Sequence, residues 1–427
     1  MNFKVLPSLV ALAILVGVFR AVLRQAAAER LHLWLTGWIL VLIHFVAAFL
    51  DVGNGLWDRV TSVVSLGALE LASISFLISM SPRATNRRRQ LLLGAILGIP
   101  ALLYTTAVVW ELTARSFYYL LVVVALAATS VLAWKWYRDS PAYFAGVLLA
   151  SVVFSSGLIW VIARNHADFG LEVMLAGFNF VVAFLYWRHF HRGTAGVLTT
   201  VFGFVGWGAV FPIGVVLQLY SPATVVESEV WNIPKYFVAV GMILTLLEEQ
   251  VHKNEYLAYH DALTGLPNRR LLEDRLEQAL TRADRGGRKV AVFLIDLDRF
   301  KEVNDNFGHR IGDLALQQVV LRLSSRMRAA DTLARSGGDE FTVVSDVSDE
   351  HGADILISAL ESALAVPLRV EGQLIQTGMS IGVALYPDHG RNPDELRAAA
   401  DQAMYLAKRG SRGPETENVI VFPQSPA

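Results

Sequence analysis

The sequence predicts two unlike parts: an N-terminal all-α bundle of transmembrane helices, and a C-terminal α/β (α+β) domain with a central sheet flanked by helices. Three observations predict this. Charge is uneven, with 16 Lys/Arg and 12 Asp/Glu in residues 1–250 against 21 and 26 in the remaining 177. Apolar stretches of about 20 residues, the length a helix needs to cross a bilayer, recur through the first part. Beyond residue 260 short apolar runs alternate with amphipathic helical patterns, as expected for helices packed on a sheet.

Nine apolar stretches account for the first part: residues 5–23, 33–50, 60–81, 91–109, 117–136, 142–163, 171–187, 195–220 and 231–247. The last is short and contains Pro234. Positive residues are retained on the cytoplasmic side of a membrane, so alternate loops were compared. One set carries Arg24, Arg30, Arg83, Arg87, Arg88, Arg89, Lys135, Arg138, Arg188 and Arg192; the other has Arg59, Arg115, Arg164 and Lys235. The first set is therefore expected inside, which places the N-terminus outside and everything from residue 248 in the cytoplasm. A multi-pass protein of a bacterial cytoplasmic (inner) membrane, with the lipid bilayer as a partner, is the expectation. A cleaved signal peptide is the alternative for residues 5–23, because Ala26–Ala28 resembles a cleavage site, but Arg20 and Arg24 intervene.

Polar residues inside spans point either to function or to interhelical hydrogen bonding, and His44, Glu70 and Asn179 are the candidates. His32, His44, His166, His189 and His191 show no spacing that would seat a haem or copper ion. Trp57, Trp110, Trp134 and Trp231 read as interfacial anchors. The stimulus is not legible. The chain has no cysteine, which excludes disulfide scaffolds and thiolate metal sites, and its net charge of -1 implies no bulk attraction to nucleic acid.

The domain boundaries read as a membrane region at 1–247, a helical linker at 248–260 and a soluble domain at 261–427. Leu247, Val251, Asn254 and Ala258 keep helical spacing, so the last span is expected to run on beyond the membrane, either as a two-helix seam or as a solvated extension. In the soluble part the pattern predicts helices near 269–282, 312–328, 353–365 and 393–409. Strands are expected at 289–295, on both sides of Gly337-Gly338, at 379–385 and at 419–422. Asn268 follows the turn Thr264-Gly265-Leu266-Pro267 as a helix cap.

Chemistry gathers in the strand that ends Ile295-Asp296-Leu297-Asp298 and in the turn Ser336-Gly337-Gly338-Asp339-Glu340-Phe341. A carboxylate at the end of an apolar strand, opposite two carboxylates on a glycine turn, suits hard divalent cations. The absence of side chains at Gly337 and Gly338 lets a phosphate chain approach the backbone. Taken alone, an acid-flanked glycine hairpin is equally well an ordinary turn.

The surroundings carry more. Residues 261–270 read DALTGLPNRR, 296–313 read DLDRFKEVNDNFGHRIGD, 335–341 read RSGGDEF, 379–383 read MSIGV and 401–412 read DQAMYLAKRGSR. In that order, over about residues 261–422, they resemble the GGDEF family of diguanylate cyclases. The resemblance implies a palm-like, nucleotide-cyclase-like fold and the condensation of two GTP into cyclic di-GMP with release of two pyrophosphates. It implies that Asp296, the Leu297 carbonyl, Asp339 and Glu340 hold two Mg2+ ions per half-site, with Mn2+ as a substitute, and that Asp339 helps deprotonate the attacking 3'-hydroxyl. Lys301, Lys408 and Arg412 fall on triphosphate-binding positions, and Phe300, Gly337 and Gly338 belong to the same substrate-binding set.

Asn304 and Asp313 fall on the guanine-binding positions. A carboxylate accepts together from guanine N1–H and N2–H, a donor pair adenine lacks, so GTP is the expected substrate. Family variants that accept ATP tend to have serine at the position of Asp313. His309 has no acidic or histidine neighbour at metal-ligand spacing and reads as structural. Arg328-Ala329-Ala330-Asp331 ends five residues before the two glycines, the place of the family's Arg-x-x-Asp product-inhibition site. The family usually closes its last helix with Gly-Arg-Asn, whereas this chain has Ser411-Arg412-Gly413, and residues 353–365 lack the arginine of a secondary inhibitory contact.

Each such domain holds one GTP, so two phosphodiester bonds require two domains face to face and hence a homodimer. A catalytically silent GGDEF module that senses cyclic di-GMP or GTP is the alternative; Asp296, Asp339, Glu340, Asn304 and Asp313, all intact, argue against it. No His/Asp metal cluster of a phosphodiesterase is present, and intramembrane charge is sparse for a transporter.

Overall fold

A computed structural model describes residues 3–23, 29–51, 55–81, 86–138, 140–190, 193–220 and 228–410. The chain divides into two compact units, Met1–Glu249 and Gln250–Ala427.

The first unit is helical throughout its described residues: α1 (Leu6–Leu23), α2 (Glu29–Leu50), α3 (Gly55–Ser79), α4 (Arg87–Val109), α5 (Arg115–Tyr137), α6 (Pro141–Ala163), α7 (Ala167–Phe190), α8 (Ala195–Tyr220) and the start of α9 (Ser228–Tyr259). Eight are long and apolar enough to cross a membrane by length and composition, while the first apolar helix, Leu6–Val22, is shorter. Its core is aromatic, with Trp38 tilted against Phe76, Phe76 edge-on to Phe204, and Phe204 stacked on Trp207. The polar candidates within the apolar helices are hydrogen-bonded: Thr105 donates to Glu70 at 2.7 Å, His44 Nδ1 lies 2.8 Å from Ser65 Oγ, and Asn179 donates to Leu175 O within its own helix. Helix α9 runs unbroken from Ser228 to Tyr259 with Pro234 inside it, past the first turn, where proline removes the hydrogen bond to residue 230.

The second unit comprises α10 (Arg269–Gly286), β1 (Lys289–Leu297), α11 (Phe300–Phe307), α12 (His309–Ser324), β2 (Thr332–Gly337), β3 (Glu340–Val347), α13 (Glu350–Leu364), β4 (Leu368–Val370), β5 (Gln373–Ile375), β6 (Met379–Tyr386) and α14 (Pro393–Gly410). Four strands form one antiparallel sheet in the order β2-β3-β1-β6, and β4 and β5 form a separate hairpin. Asn268 caps α10 by accepting from Arg270 N and Leu271 N, and Gly287 ends the helix in the left-handed region at φ 61°.

Strand alternation decides which face each residue serves. Ala291, Phe293, Ile295 and Leu297 point into a core shared with α11, α12 and α13. Val290 and Val292 point the other way, into a core shared with α10 and α14. Residue 296 therefore belongs to the α14 side.

Candidate nucleotide site

Strand register sets the site. Asp296 is paired directly with Glu340 on β3 and with Ser380 on β6. Directly opposed residues of antiparallel strands project to the same face about 5 Å apart, so the Asp296 and Glu340 carboxylates share the α14 side of the sheet. Lys408, near the end of α14, places its ammonium 2.8 Å from Asp296 Oδ2. Glu340 and α14 residues including Asp401, Tyr405 and Lys408 border a depression of about 550 Å³.

The Gly-Gly turn is held from outside. Arg335 Nε and Nη2 donate to the Gly338 carbonyl at 2.9 and 2.6 Å, and Nη1 donates to Asp261 Oδ1 at 2.8 Å. Asp261 Oδ1 also accepts from Thr264 N and Oγ1, and Arg335 N donates to Pro267 O at 2.9 Å. The DALTGLPNRR loop and the RSGGDEF hairpin are thus one hydrogen-bonded assembly. Burial pushes the Asp261 carboxyl up, but the bonds from Thr264 and Arg335 outweigh it and hold the group below its ordinary range. Gly338 has φ 47°, a conformation that disfavours a side chain. Leu297 N donates to Asp339 O at 3.3 Å, which fixes the turn to the end of β1.

Asp298, one step past the strand, is anchored rather than presented. Its Oδ1 accepts from Ser380 Oγ at 2.7 Å, and its N–H donates to Gly378 O at 3.0 Å. Phe300 is 4% exposed, and its side chain packs in the core beneath α11. Lys301 is exposed on α11. A Cβ on Gly312 would fall 1.9 Å from Asn304 Oδ1, so glycine lets the Asn304 amide lie against the first turn of α12, where Asp313 is the next residue. His309 starts α12 and is exposed.

The acids are not drawn into a preformed cluster. Among the described residues no group of three His, Cys, Asp or Glu side chains is placed to hold a metal ion. Asp296 Oδ2 is turned to the Lys408 ammonium. The donor set still suits a hard cation: two carboxylates in cross-strand register and a third one residue before Glu340, with oxygen donors only. Asp331 is also engaged locally, accepting from Arg328 N at 2.7 Å and from Ser345 Oγ at 2.6 Å, while Arg328 is exposed. Arg412 and the strand expected at 419–422 lie outside the described residues.

Three features escaped the sequence reading. Helix α11 is only eight residues long, and the β4–β5 hairpin has three residues per strand, both too short for periodicity to register. The pairing of Arg335 with Asp261 is the third; its signal in the sequence is a lone arginine just before the glycine turn with a lone aspartate at the loop start.

Residues 258–414 match the family described as "Diguanylate cyclase, GGDEF domain". The bifunctional diguanylate cyclase/cyclic di-GMP phosphodiesterase MucR of Pseudomonas aeruginosa is 34% identical over 275 residues, covering 62% of this chain and 40% of MucR. The diguanylate cyclase TpbB of the same species is 42% identical over 170 residues, 39% of each protein. The crystal structure of the TpbB GGDEF domain is 40% identical, covers 34% of this chain and 92% of that one, and superposes with a TM-score of 0.34. The chain thus spans about 40% of the length of these curated relatives.

Proposed function

We infer from residues 258–414, which form a GGDEF diguanylate cyclase domain, that the chain condenses two GTP into cyclic di-GMP under the control of a membrane-embedded N-terminal region. One observation carries the reading: the register that sets Asp296 beside Glu340, with Lys408 2.8 Å from Asp296. Asp296, the Leu297 carbonyl, Asp339 and Glu340 would hold two divalent cations. When bound, these make the 3'-hydroxyl a better nucleophile and offset charge on the leaving pyrophosphate.

The chain's own residues do the rest. Asn304 and Asp313 accept from the guanine edge, and Lys301, Lys408 and Arg412 meet the triphosphate. A phosphate oxygen that recruits the Lys408 ammonium leaves the Asp296 carboxylate to a cation, so nucleotide binding and metal binding support each other. The 3'-oxygen of one GTP then forms a bond to the α-phosphorus of the other as the bond to pyrophosphate breaks, and Asp339 helps take the hydroxyl proton. Repetition with the roles exchanged closes the ring, which requires two domains face to face and hence a homodimer. The eight apolar helices support placement in a membrane, and the excess of Lys/Arg in the loops on the side of residue 248 supports a cyclase domain on the cytoplasmic side. Arg328 and Asp331 are proposed as the product-inhibition site, with Asp331 also holding its own turn.

Incubation of the full chain in lipid with labelled GTP and Mg2+ tests this. Cyclic di-GMP and two equivalents of pyrophosphate are expected. Binding of cyclic di-GMP or GTP without turnover would instead establish the silent-sensor alternative.

A further inference from the structure

Two consecutive glutamates near the end of the first unit tie α9 to three other helices. Glu248 accepts from Thr194 Oγ1 at 2.6 Å and from Gly196 N at 3.0 Å, so one carboxylate caps the first turn of α8. Glu249 pairs with Arg30 at the start of α2. The Arg30 guanidinium lies over Phe190, the last residue of α7, at 5.3 Å from the ring centre, and over Trp34 at 5.9 Å.

Elsewhere α8 and α9 meet almost backbone to backbone. A Cβ on Gly196 would fall 2.4 Å from Thr245 N, on Gly203 2.6 Å from Val238 N, and on Gly241 2.4 Å from Thr200 N. Such approach needs glycine, and it packs α8 and α9 closely, with Val197, Phe204, Trp207, Val238 and Met242 in one core. Directional polar contacts add to this packing: Asn232 donates to Ser8 on α1, Tyr186 of α7 donates to Thr245, and residues 248–249 grip the helix at the end of the unit.

We propose that Glu248 and Glu249 form a latch with Thr194, the α8 N-terminus and Arg30. The latch fixes the axial position and rotation of α9 and passes movements of α2, α7 and α8 into the helix that leads to the DALTGLPNRR loop. A contact of this strength can be broken by a ligand that favours one arrangement of the bundle. The output it controls rests on the cyclase reading above; the latch itself does not.

The chain has no cysteine, so Leu91→Cys on α4 and Leu247→Cys on α9, at positions 65% and 54% exposed, can carry spin labels for pulsed EPR on the full chain in lipid nanodiscs. A single narrow distance distribution is expected in the labelled parent. Arg30→Glu should shift or broaden it, and adding Glu249→Arg should restore it. Cyclic di-GMP formation should depart by about fivefold or more in the single swap and return to within about twofold in the reversed pair. Glu248→Gln, a milder variant that keeps the shape of the cap, should broaden the distribution in the same way. Unchanged distances in Arg30→Glu and Glu248→Gln, or failure of the reversed pair to restore the parent, would overturn the latch. If no variant, the parent included, turns over GTP, the cyclase reading fails while the distances still decide the latch.

Discussion

Arg335→Lys keeps a cation beside the Gly-Gly turn and removes the fork that holds it. The guanidinium makes two contacts to the Gly338 carbonyl, at 2.9 and 2.6 Å, and one to Asp261 at 2.8 Å, from a side chain 11% exposed. A single ammonium on a flexible stem cannot reproduce that planar set. Hydrogen bonds to charged groups contribute roughly 1.5–3 kcal/mol each, so loss of at least one costs about 2 kcal/mol of domain stability. The larger effect is on rate. Gly338 precedes Asp339 and Glu340, and displacement of a reacting group by about 1 Å costs on the order of 100-fold. Arg335 is not among the proposed nucleotide contacts, so kcat should fall about 100-fold while KM for GTP stays within about threefold. Initial rates of pyrophosphate release from the full chain in lipid, with thermal melting alongside, measure both. A folded Arg335→Lys protein that retains more than about half of the parental kcat would refute the positioning argument.

Further outcomes follow from the same geometry. Asp313→Ser removes the acceptor for guanine N1–H and N2–H, and the preference for GTP over ATP in kcat/KM should narrow by about tenfold or more. In Gly382→Ala the new methyl would meet Ala400 O at 2.1 Å and Met404 N at 2.2 Å; overpacking of this kind costs roughly 1–3 kcal/mol, visible as a lower Tm, and lower activity should accompany it because α14 carries Lys408. Asp261 has its folded-state carboxyl held below the ordinary value, so its contribution is present above the unfolded pKa and lost as pH falls through the folded one. Tm should therefore drop more steeply on acidification below about pH 4 in the parent than in Asp261→Asn, and parallel curves would contradict the assignment.

Much of this was legible because it is periodic. The apolar stretches were long enough to be read as helices one by one, and eight of the nine expected meet the length and composition needed to cross a membrane. The strand at β1 was legible from its apolar run, and the alternation that sends residue 296 to the α14 side follows from a period of two. Asn268 was legible as a cap because side-chain chemistry at a helix start is local. Long-range pairing was not. The contact between Lys408 and Asp296 joins residues 112 positions apart, and Arg335 and Asp261 are separated by 74; no local spacing encodes either. The orientation of the Asp296 carboxylate toward an ammonium was equally hidden, since sequence lists charges without saying which partner each one faces.

In the cyclase reading, Asp296 and Glu340 hold divalent cations beneath one GTP. Anomalous scattering from Mn2+ in crystals of the protein with a non-hydrolysable GTP analogue tests it most directly. Manganese peaks are expected about 2.0–2.3 Å from carboxylate oxygens of Asp296 and Glu340, with Lys408 moved onto the triphosphate. Nucleotide bound in the depression with no manganese there, and Lys408 still on Asp296, would contradict it.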